Sequence, residues 1–324
     1  MSKEEFYMRA ITLNKFGNAE KLNLDEVNLP KTNENEVLIK LFYAGIGQWD
    51  IFEREGGYEK MLNLSVDFPY ILGSEGVGEI VKIGKNVKNY KIGDIVCAVS
   101  FLNSKGGFYA EYVVVPDSHV YLKPRCLSFE ESSAVSGIGL TAYRGLVDVL
   151  NIKKNDNVLI HGASGGVGHI AIQIAKSFGA NIFAIVSGND GIRLAKSLGV
   201  NNVVDGKKFN SQEIMSMFDI NQFDSAFFTT GGIIADQLVE NIKPNGKVVF
   251  PYGIQELNID RSDLTVKPYY ADIDLNLLTS FLKWINSNQP TIHVDKVFDL
   301  DEYKSAHLAL EQHYVGKLCF SIFK

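Results

Sequence analysis

Residues Val158–Ala180 read "VLIHGASGGVGHIAIQIAKSFGA", and this stretch decides the architecture. An apolar run of strand length, Val158–Ile160, meets Gly162, Gly165, Gly166 and Gly168, then a helical pattern that stops at Gly179. A dinucleotide pyrophosphate needs a tight turn, close backbone approach and a helix N-terminus whose free N–H groups meet the negative charge. Gly165 and Gly168 hold the last two glycine positions of a GxGxxG pattern, with Ala163 in place of the first. A glycine triplet alone is weak evidence, because many are only turns; here the strand before it and the helix after it agree. The loop's candidate cofactor-binding residues are Ala163, Ser164, Gly165, Gly166, Val167 and Gly168. His161 and His169 flank it and read as packing or solvent residues rather than catalysts.

Further along, strands alternate with helices. "NIFAIVS" is a strand, "GIRLAKSLG" a glycine-stopped helix, and "NNVVD", "FDSAFFTTGG" and "GKVVFPYG" are further strands. That alternation predicts a doubly wound parallel sheet. Thr230 and Gly231, and Tyr252 and Gly253, at the ends of the last two strands, join the candidate cofactor-binding residues. An NAD site usually carries Asp or Glu at the end of the second strand to bind the ribose 2′-OH. Here that window holds Val186 and Ser187, so a 2′-phosphate meets no repulsion and NADPH is favoured over NADH. Asp190, a few residues on, is the alternative as a displaced ribose ligand. Arg193, Lys207 and Lys208 are the candidate cations for a phosphate; the two lysines read equally well as a solvated loop.

The first third has a different texture. "MRAITL", "EVLIKLFYAG", "GVGEIVKIG", "GDIVCAV" and "AEYVVVP" are short apolar runs between turn residues, which predicts a β-barrel-like or sandwich unit. Near Leu127 helical spacing begins, with Ser128 ahead of Glu130 and Glu131 as an N-terminal cap. "LNLLTSFLKWINSN" predicts an amphipathic helix, and "GKLCFSIF" a closing strand that returns to the first unit.

The 324 residues suit two domains, and 46% apolar with 22% charged residues is ordinary for a globular protein. A net charge of −6 without a basic aromatic patch argues against nucleic acid or an anionic membrane as partner. No run approaches the roughly 18 apolar residues of a membrane span. The opening "MSKEEFYMRAITL" has no leader pattern, and three scattered cysteines suggest no disulfide framework, so a cytoplasmic setting is expected.

Taken together, "YAGIGQWD", "ILGSEGVGEIVKIGKNVKNYKIGDIV", "GGFYAEYVVVP", "GIGLTAYRGL", "HGASGGVGHIAIQIAKSFGA" and "FDSAFFTTGG" resemble, in order and spacing, the medium-chain dehydrogenase/reductase superfamily. The branch resembled is the zinc-independent quinone oxidoreductases. The resemblance implies an α/β chain: a GroES-like β-rich catalytic domain from residues 1–126 and 262–324, and a doubly wound parallel Rossmann domain over 127–261. It further implies NADPH as cofactor, a small electrophilic acceptor and a homodimer.

The departures bear on chemistry. A catalytic zinc in this superfamily takes a Cys, a His and another Cys or carboxylate. Gly47 and Ser74 hold the first two slots, and no Cys lies near Ser136–Gly139 for the third. Of the four cysteines of a structural zinc lobe only Cys97 is present, so no metal is expected. Without a Lewis acid, the suitable acceptor is already electrophilic: a quinone or an α,β-unsaturated carbonyl. Gly47 and Phe52 stand where the branch often has Asn and Tyr. Tyr58 matches a tyrosine over the substrate, either donating a hydrogen bond or shaping the pocket. Asp50 matches the family's aspartate, in catalysis or in orienting the loop, and Thr141 matches a threonine near the nicotinamide. The usual 2′-phosphate clamp, a lysine and a tyrosine, is replaced by Gly191 and Gly206. The expected function is an NADPH-dependent, zinc-independent reductase of quinones or enones. The alternatives are an enoyl-thioester reductase or a non-catalytic nucleotide-binding protein.

Overall fold

The computed structural model describes residues 6–323, so the first five residues of the opening segment lie outside the described residues. The chain forms two compact units, one from residues up to 137 together with those from 294 onward, the other from 138 to 293. In chain order the first unit begins with β1 (Tyr7–Leu13), β2 (Leu22–Asn28), β3 (Glu36–Ile46), α1 (Gln48–Arg54) and α2 (Gly57–Leu62). It continues with β4 (Tyr70–Ile71), β5 (Glu75–Ile83), β6 (Ile95–Val99), β7 (Tyr112–Pro116), β8 (Val120–Leu122) and α3 (Phe129–Ala134). Ser128 caps α3 as its sequence predicts: its Oγ accepts from the Glu131 N–H (3.2 Å) and Glu131 Oε2 accepts from the Ser128 N–H (2.8 Å).

The helical run predicted beyond Leu127 is not continuous. α3 is followed by α4 (Ser136–Tyr143) and then by a π-helical turn over Arg144–Val149. Glycines here serve close packing. A Cβ on Gly139 would lie 2.1 Å from the Phe281 ring, and one on Gly145 would lie 2.4 Å from the Tyr269 hydroxyl.

The second unit holds β9 (Asn157–His161), α5 (Gly166–Ser177), β10 (Asn181–Val186), α6 (Gly188–Ser197), β11 (Asn202–Asp205) and α7 (Ser211–Phe218). Then come β12 (Phe223–Phe228), α8 (Ile233–Val239), β13 (Ile242–Pro251), β14 (Thr265–Tyr269) and α9 (Leu275–Asn288). All six strands are parallel, in the order β11-β10-β9-β12-β13-β14. This is the Rossmann order, with its crossover point between β9 and β12.

The unit boundaries fall later than the sequence suggests, at 137/138 and 293/294 instead of 126/127 and 261/262. The reason is β14, which pairs in parallel with β13 from Lys247↔Thr265 to Pro251↔Tyr269. As an exposed edge strand containing a proline, "TVKPY" lacks the apolar signal of its neighbours. α9 belongs to the same unit, with its Trp284 Nε1–H donating to Ser177 Oγ (2.9 Å).

The chain then returns with β15 (Val294–Asp299), α10 (Tyr303–Ala309) and β16 (Lys317–Ser321). β16 pairs antiparallel with β3 at Leu318↔Ile46 through Ser321↔Tyr43, completing the sheet β15-β16-β3-β5-β6-β8 with β7 also on β3. The core of this unit gathers Ile39, Leu41, Val96, Phe108, Phe298, Leu318 and Phe320. Among the described residues no helix is long and apolar enough to cross a membrane.

Candidate functional site

In the second unit the loop after β9 is set by three close approaches. Gly162 has φ +78°, in the left-handed region that suits glycine. The Gly165 N–H donates to Gly162 O (3.1 Å), closing the turn. A Cβ on Gly168 would lie 2.1 Å from Gly162 O and 2.7 Å from Ala163 Cα, so only glycine lets α5 sit this close to the strand end. The first 4-residue helical bond runs from His169 N–H to Gly165 O (3.0 Å), so the N–H groups of Gly166, Val167 and Gly168 precede the helical ladder. Gly165, Gly166 and Val167 are half-buried, whereas Ala163 and Ser164 are buried beneath them. A Cβ on Gly165 would meet only Gly162 O, at 3.4 Å; this is the open cradle that a pyrophosphate would fill.

Neighbouring strand ends converge on this loop. Ser164 Oγ accepts from the Ser187 N–H at the end of β10 (3.3 Å). Thr229 Oγ1 donates toward His161 O (3.0 Å) and Gly162 O (3.2 Å), and the His161 ring meets Thr230 O (3.1 Å). Gly231 packs on the loop after β13, where a Cβ would lie 2.3 Å from Gln255 O. In that loop Tyr252 stacks on Tyr270, with ring centroids 4.2 Å apart, and its N–H donates to Tyr269 O (2.9 Å). Gly253 follows with φ +93°. The structure therefore brings Ser164, Gly165, Ser187, Thr230, Gly231, Tyr252 and Gly253 to the carboxyl ends of the strands. Thr141 lies in α4, its carbonyl accepting from the Tyr269 hydroxyl (2.7 Å). His169 accepts from the His293 N–H at Nε2 (3.2 Å), which makes Nδ1 the donor to Gly165 O (3.0 Å) and gives the ring a bracing role.

Arg193 is exposed on α6, two residues beyond Gly191. Gly191 is the α6 residue that faces the phosphate loop, since its Cβ would touch Ser164 at 2.9 Å. Arg193 comes four residues after Asn189, on the same face of α6 and one turn further from the end of β10. Lys207 is exposed, and its backbone N–H donates to Asp205 Oδ1 (3.0 Å).

The first unit holds the residues proposed to face an acceptor, and a buried polar cluster behind them. Asp50 is 0% exposed, and its Oδ2 accepts from the Gly47 N–H (2.6 Å), which fixes the entry into α1. Burial pushes its carboxyl up to about 6, against the pull of Lys317, the Gly47 N–H and Tyr109. Asp50 thus acts on the loop rather than on a ligand at the surface. Tyr58, on α2, is half-buried and meets the Phe52 ring edge-on at 4.8 Å.

Sequence inspection misses the centre of this cluster. Lys317, 1% exposed, places its ammonium 2.8 Å from Glu75 Oε1 and 4.0 Å over the Trp49 ring. Glu75, fully buried, also accepts at Oε2 from the Gly137 N–H (2.7 Å), and Gly45 is the glycine that gives it room. One turn along from Asp50, Glu53 accepts from the Tyr70 hydroxyl; burial and the nearby Asp50 push its carboxyl up to about 8. Arg54, fully buried, turns the other way to Gly17 O, Glu55, Glu311 and His307. The available signal was a single lysine opening the otherwise apolar strand "KLCFS".

A nucleotide-binding Rossmann unit sharing one chain with a GroES-like β unit defines a dehydrogenase/reductase class. Residues 33–125 match the alcohol dehydrogenase GroES-like domain family, and residues 166–268 match the zinc-binding dehydrogenase family. The chain is 30% identical over 79% of its length to a chloroplast envelope quinone oxidoreductase homolog of Arabidopsis thaliana, covering 81% of it. It is 34% identical over 64% of its length to an NAD-dependent alcohol dehydrogenase of Sulfolobus acidocaldarius, spanning 66% of that protein, just under two thirds. The solved quinone oxidoreductase of Coxiella burnetii superposes with a TM-score of 0.87 at 26% identity, over 98% of this chain and 100% of that one. The chain belongs to the medium-chain dehydrogenase/reductase superfamily, in its quinone oxidoreductase branch.

The residues present do not fit a zinc ion. A Cβ on Gly47 would lie 2.9 Å from the Trp49 ring, so the indole fills the space a cysteine would need. Ser74 is buried, and the neighbouring Glu75 is already paired with the Lys317 ammonium. Cys97 is buried in the apolar strand β6, with no second cysteine near it in the sequence to share a metal. Among the described residues no three His, Cys, Asp or Glu side chains are grouped to hold a metal.

Proposed function

We propose that the chain is an NADPH-dependent reductase of quinones or other α,β-unsaturated carbonyls, acting without zinc. One observation carries this reading: the phosphate loop keeps its full geometry while Gly47 and Ser74 stand in two ligand slots and the Trp49 ring fills the space beside Gly47. Bound NADPH would supply the hydride. The α5 N-terminus would bind the pyrophosphate through backbone N–H groups, and the buried Gly168 keeps that helix close to the strand end. At the end of β10, Ser187 presents no carboxylate to a 2′-phosphate. With no cation to polarise a simple ketone, the acceptor must delocalise the incoming charge itself, as a quinone or enone does. Tyr58 and Phe52 offer aromatic surface for such a planar acceptor, and Asp50 positions the loop that carries them.

Asp190 favours a second reading, with NADH as cofactor, because it puts a carboxylate in the first turn of α6. The resemblance to an NAD-dependent archaeal relative points the same way. Oxidation of each nucleotide should be followed with a panel of quinones, enones and simple aldehydes. The expected result is turnover of quinones or enones with NADPH, unchanged by chelators. Turnover confined to simple aldehydes, or activity that needs added zinc, sinks the proposal. Nucleotide binding without turnover of any acceptor points instead to a sensor.

A further inference from the structure

The second unit raises a specific problem for a 2′-phosphate: which cation meets it. A side chain on Gly191 would start 2.9 Å from Ser164 and 3.2 Å from Val186, and one on Gly206 would start 2.6 Å from Ile185 Cγ2. Both positions are closed to a bulky side chain, so the cation must come from elsewhere. Arg193 stands one turn further along α6, away from the end of β10.

A continuous line of contacts leads from the phosphate loop to one lysine. Ser164 Oγ accepts from the Ser187 N–H, tying the loop to the end of β10. Two residues on, Asn189 Oδ1 accepts from Lys208 Nζ (2.9 Å), so this ammonium from beyond β11 lies across the end of β10. Asp205 Oδ2, at 3.6 Å, steadies the same ammonium, while Asp205 Oδ1 takes the Lys207 N–H (3.0 Å). Asp205 is buried and the Lys208 side chain is 52% exposed, so the carboxylate is fixed from below and the ammonium remains accessible from above. An ammonium has three N–H donors, and these two partners leave one for a ligand.

We propose that Lys208 holds the 2′-phosphate of NADPH and sets the cofactor preference of this chain, an inference that rests on the NADPH-dependent reading above. Its three-point setting between Asn189, Asp205 and the phosphate replaces a clamp that Gly191 and Gly206 cannot provide. The attraction is electrostatic and partly exposed, so it weakens as salt rises.

Dissociation constants for NADPH, NADH and 2′,5′-ADP should be measured by fluorescence titration for the wild type, Lys208→Ala and Lys207→Ala. The expected wild-type preference is for NADPH. Lys208→Ala should weaken NADPH and 2′,5′-ADP by roughly ten- to a hundredfold and leave NADH within about twofold. Lys207→Ala should leave all three within about twofold. A wild type that prefers NADPH, with Lys208→Ala keeping that preference, overturns the role of Lys208 alone. A wild type that prefers NADH overturns the NADPH reading itself and turns attention to Asp190. Matching circular dichroism melts establish that each variant is folded.

Discussion

In the unit spanning residues 138–293 the site is made of backbone: the first N–H groups of α5 lie half-exposed, held open by glycines. In the unit made by the chain's earlier and later parts, polar chemistry is turned inward. Asp50, Glu53, Arg54, Glu75 and Lys317 are all buried, and the Trp49 ring lies against the Lys317 ammonium. The contrast sets a candidate site made of backbone beside one made of side chains. A backbone site tolerates little change, because each glycine answers a steric demand. A side-chain site depends on which groups meet, and here the Trp49 indole lies against Gly47 and under the Lys317 ammonium.

The sharpest way to break this contrast is through the glycines. Gly168→Val should abolish NADPH binding, by at least a hundredfold, and lower the melting temperature, because its Cβ would lie 2.1 Å from Gly162 O. Gly165→Val should lose binding at a smaller cost in stability than Gly168→Val, since only Gly162 O lies nearby, at 3.4 Å, and the cost is that of a poorer cap on α5. Nucleotide titration and thermal melts of the two variants would check this; equal stability losses would mean that both glycines serve the fold alone.

The next test concerns the inward-facing unit. Lys317→Met leaves Glu75 buried without its cation and should cost about 3–5 kcal/mol in urea unfolding. Adding Glu75→Gln should recover most of that loss, because the unpaired charge is then gone. A Lys317→Met loss that the second change does not relieve would mean that the pair matters through packing alone.

A third effect should appear as a slope. The Glu53 carboxyl is raised to about 8 in the folded chain and titrates near 4.3 when unfolded. Between these values the unfolded chain has lost a proton that the folded chain keeps, so stability falls as pH rises through that window. The facing groups are Asp50 on the same helix and the Tyr70 hydroxyl. Glu53→Gln should flatten this alkaline slope by about 1 kcal/mol per pH unit. The acid limb should persist, because burial and Arg54 lower the His307 ring to about 3, and its stabilising neutrality is lost from about 6.5 downward. Urea unfolding from pH 4 to 9 reads both limbs, and an unchanged alkaline slope in Glu53→Gln would remove Glu53 as its source.

Much of this was legible because periodicity and glycine spacing are local signals. The five Rossmann strands from "NVLIH" to "GKVVF", the phosphate loop and the Ser128 cap all announce themselves within a few residues. β14 did not, because an exposed edge strand needs no apolar pattern. Gly47 and Ser74 could be read as lost ligands, yet what fills the space could not. Trp49 sits two residues from Gly47, but Lys317 reaches Glu75 from a distant part of the sequence, and no local pattern joins them. The same holds for Lys208. Its neighbour Lys207 looks equivalent in sequence, and only the turn after β11 decides which ammonium crosses to Asn189.

The pairing of β16 with β3 has a consequence for how the protein is made. Synthesis at roughly 5–20 residues per second makes the whole 138–293 unit, which is contiguous in the chain, ahead of β15 and β16. Until then the Tyr43–Ile46 half of β3 offers an open strand edge, and Glu75 awaits the ammonium that will neutralise it. Such an edge is a template for wrong partners, including other nascent chains. The 138–293 unit thus has all its strands in one contiguous stretch, while the other unit closes its sheet only when β16 arrives.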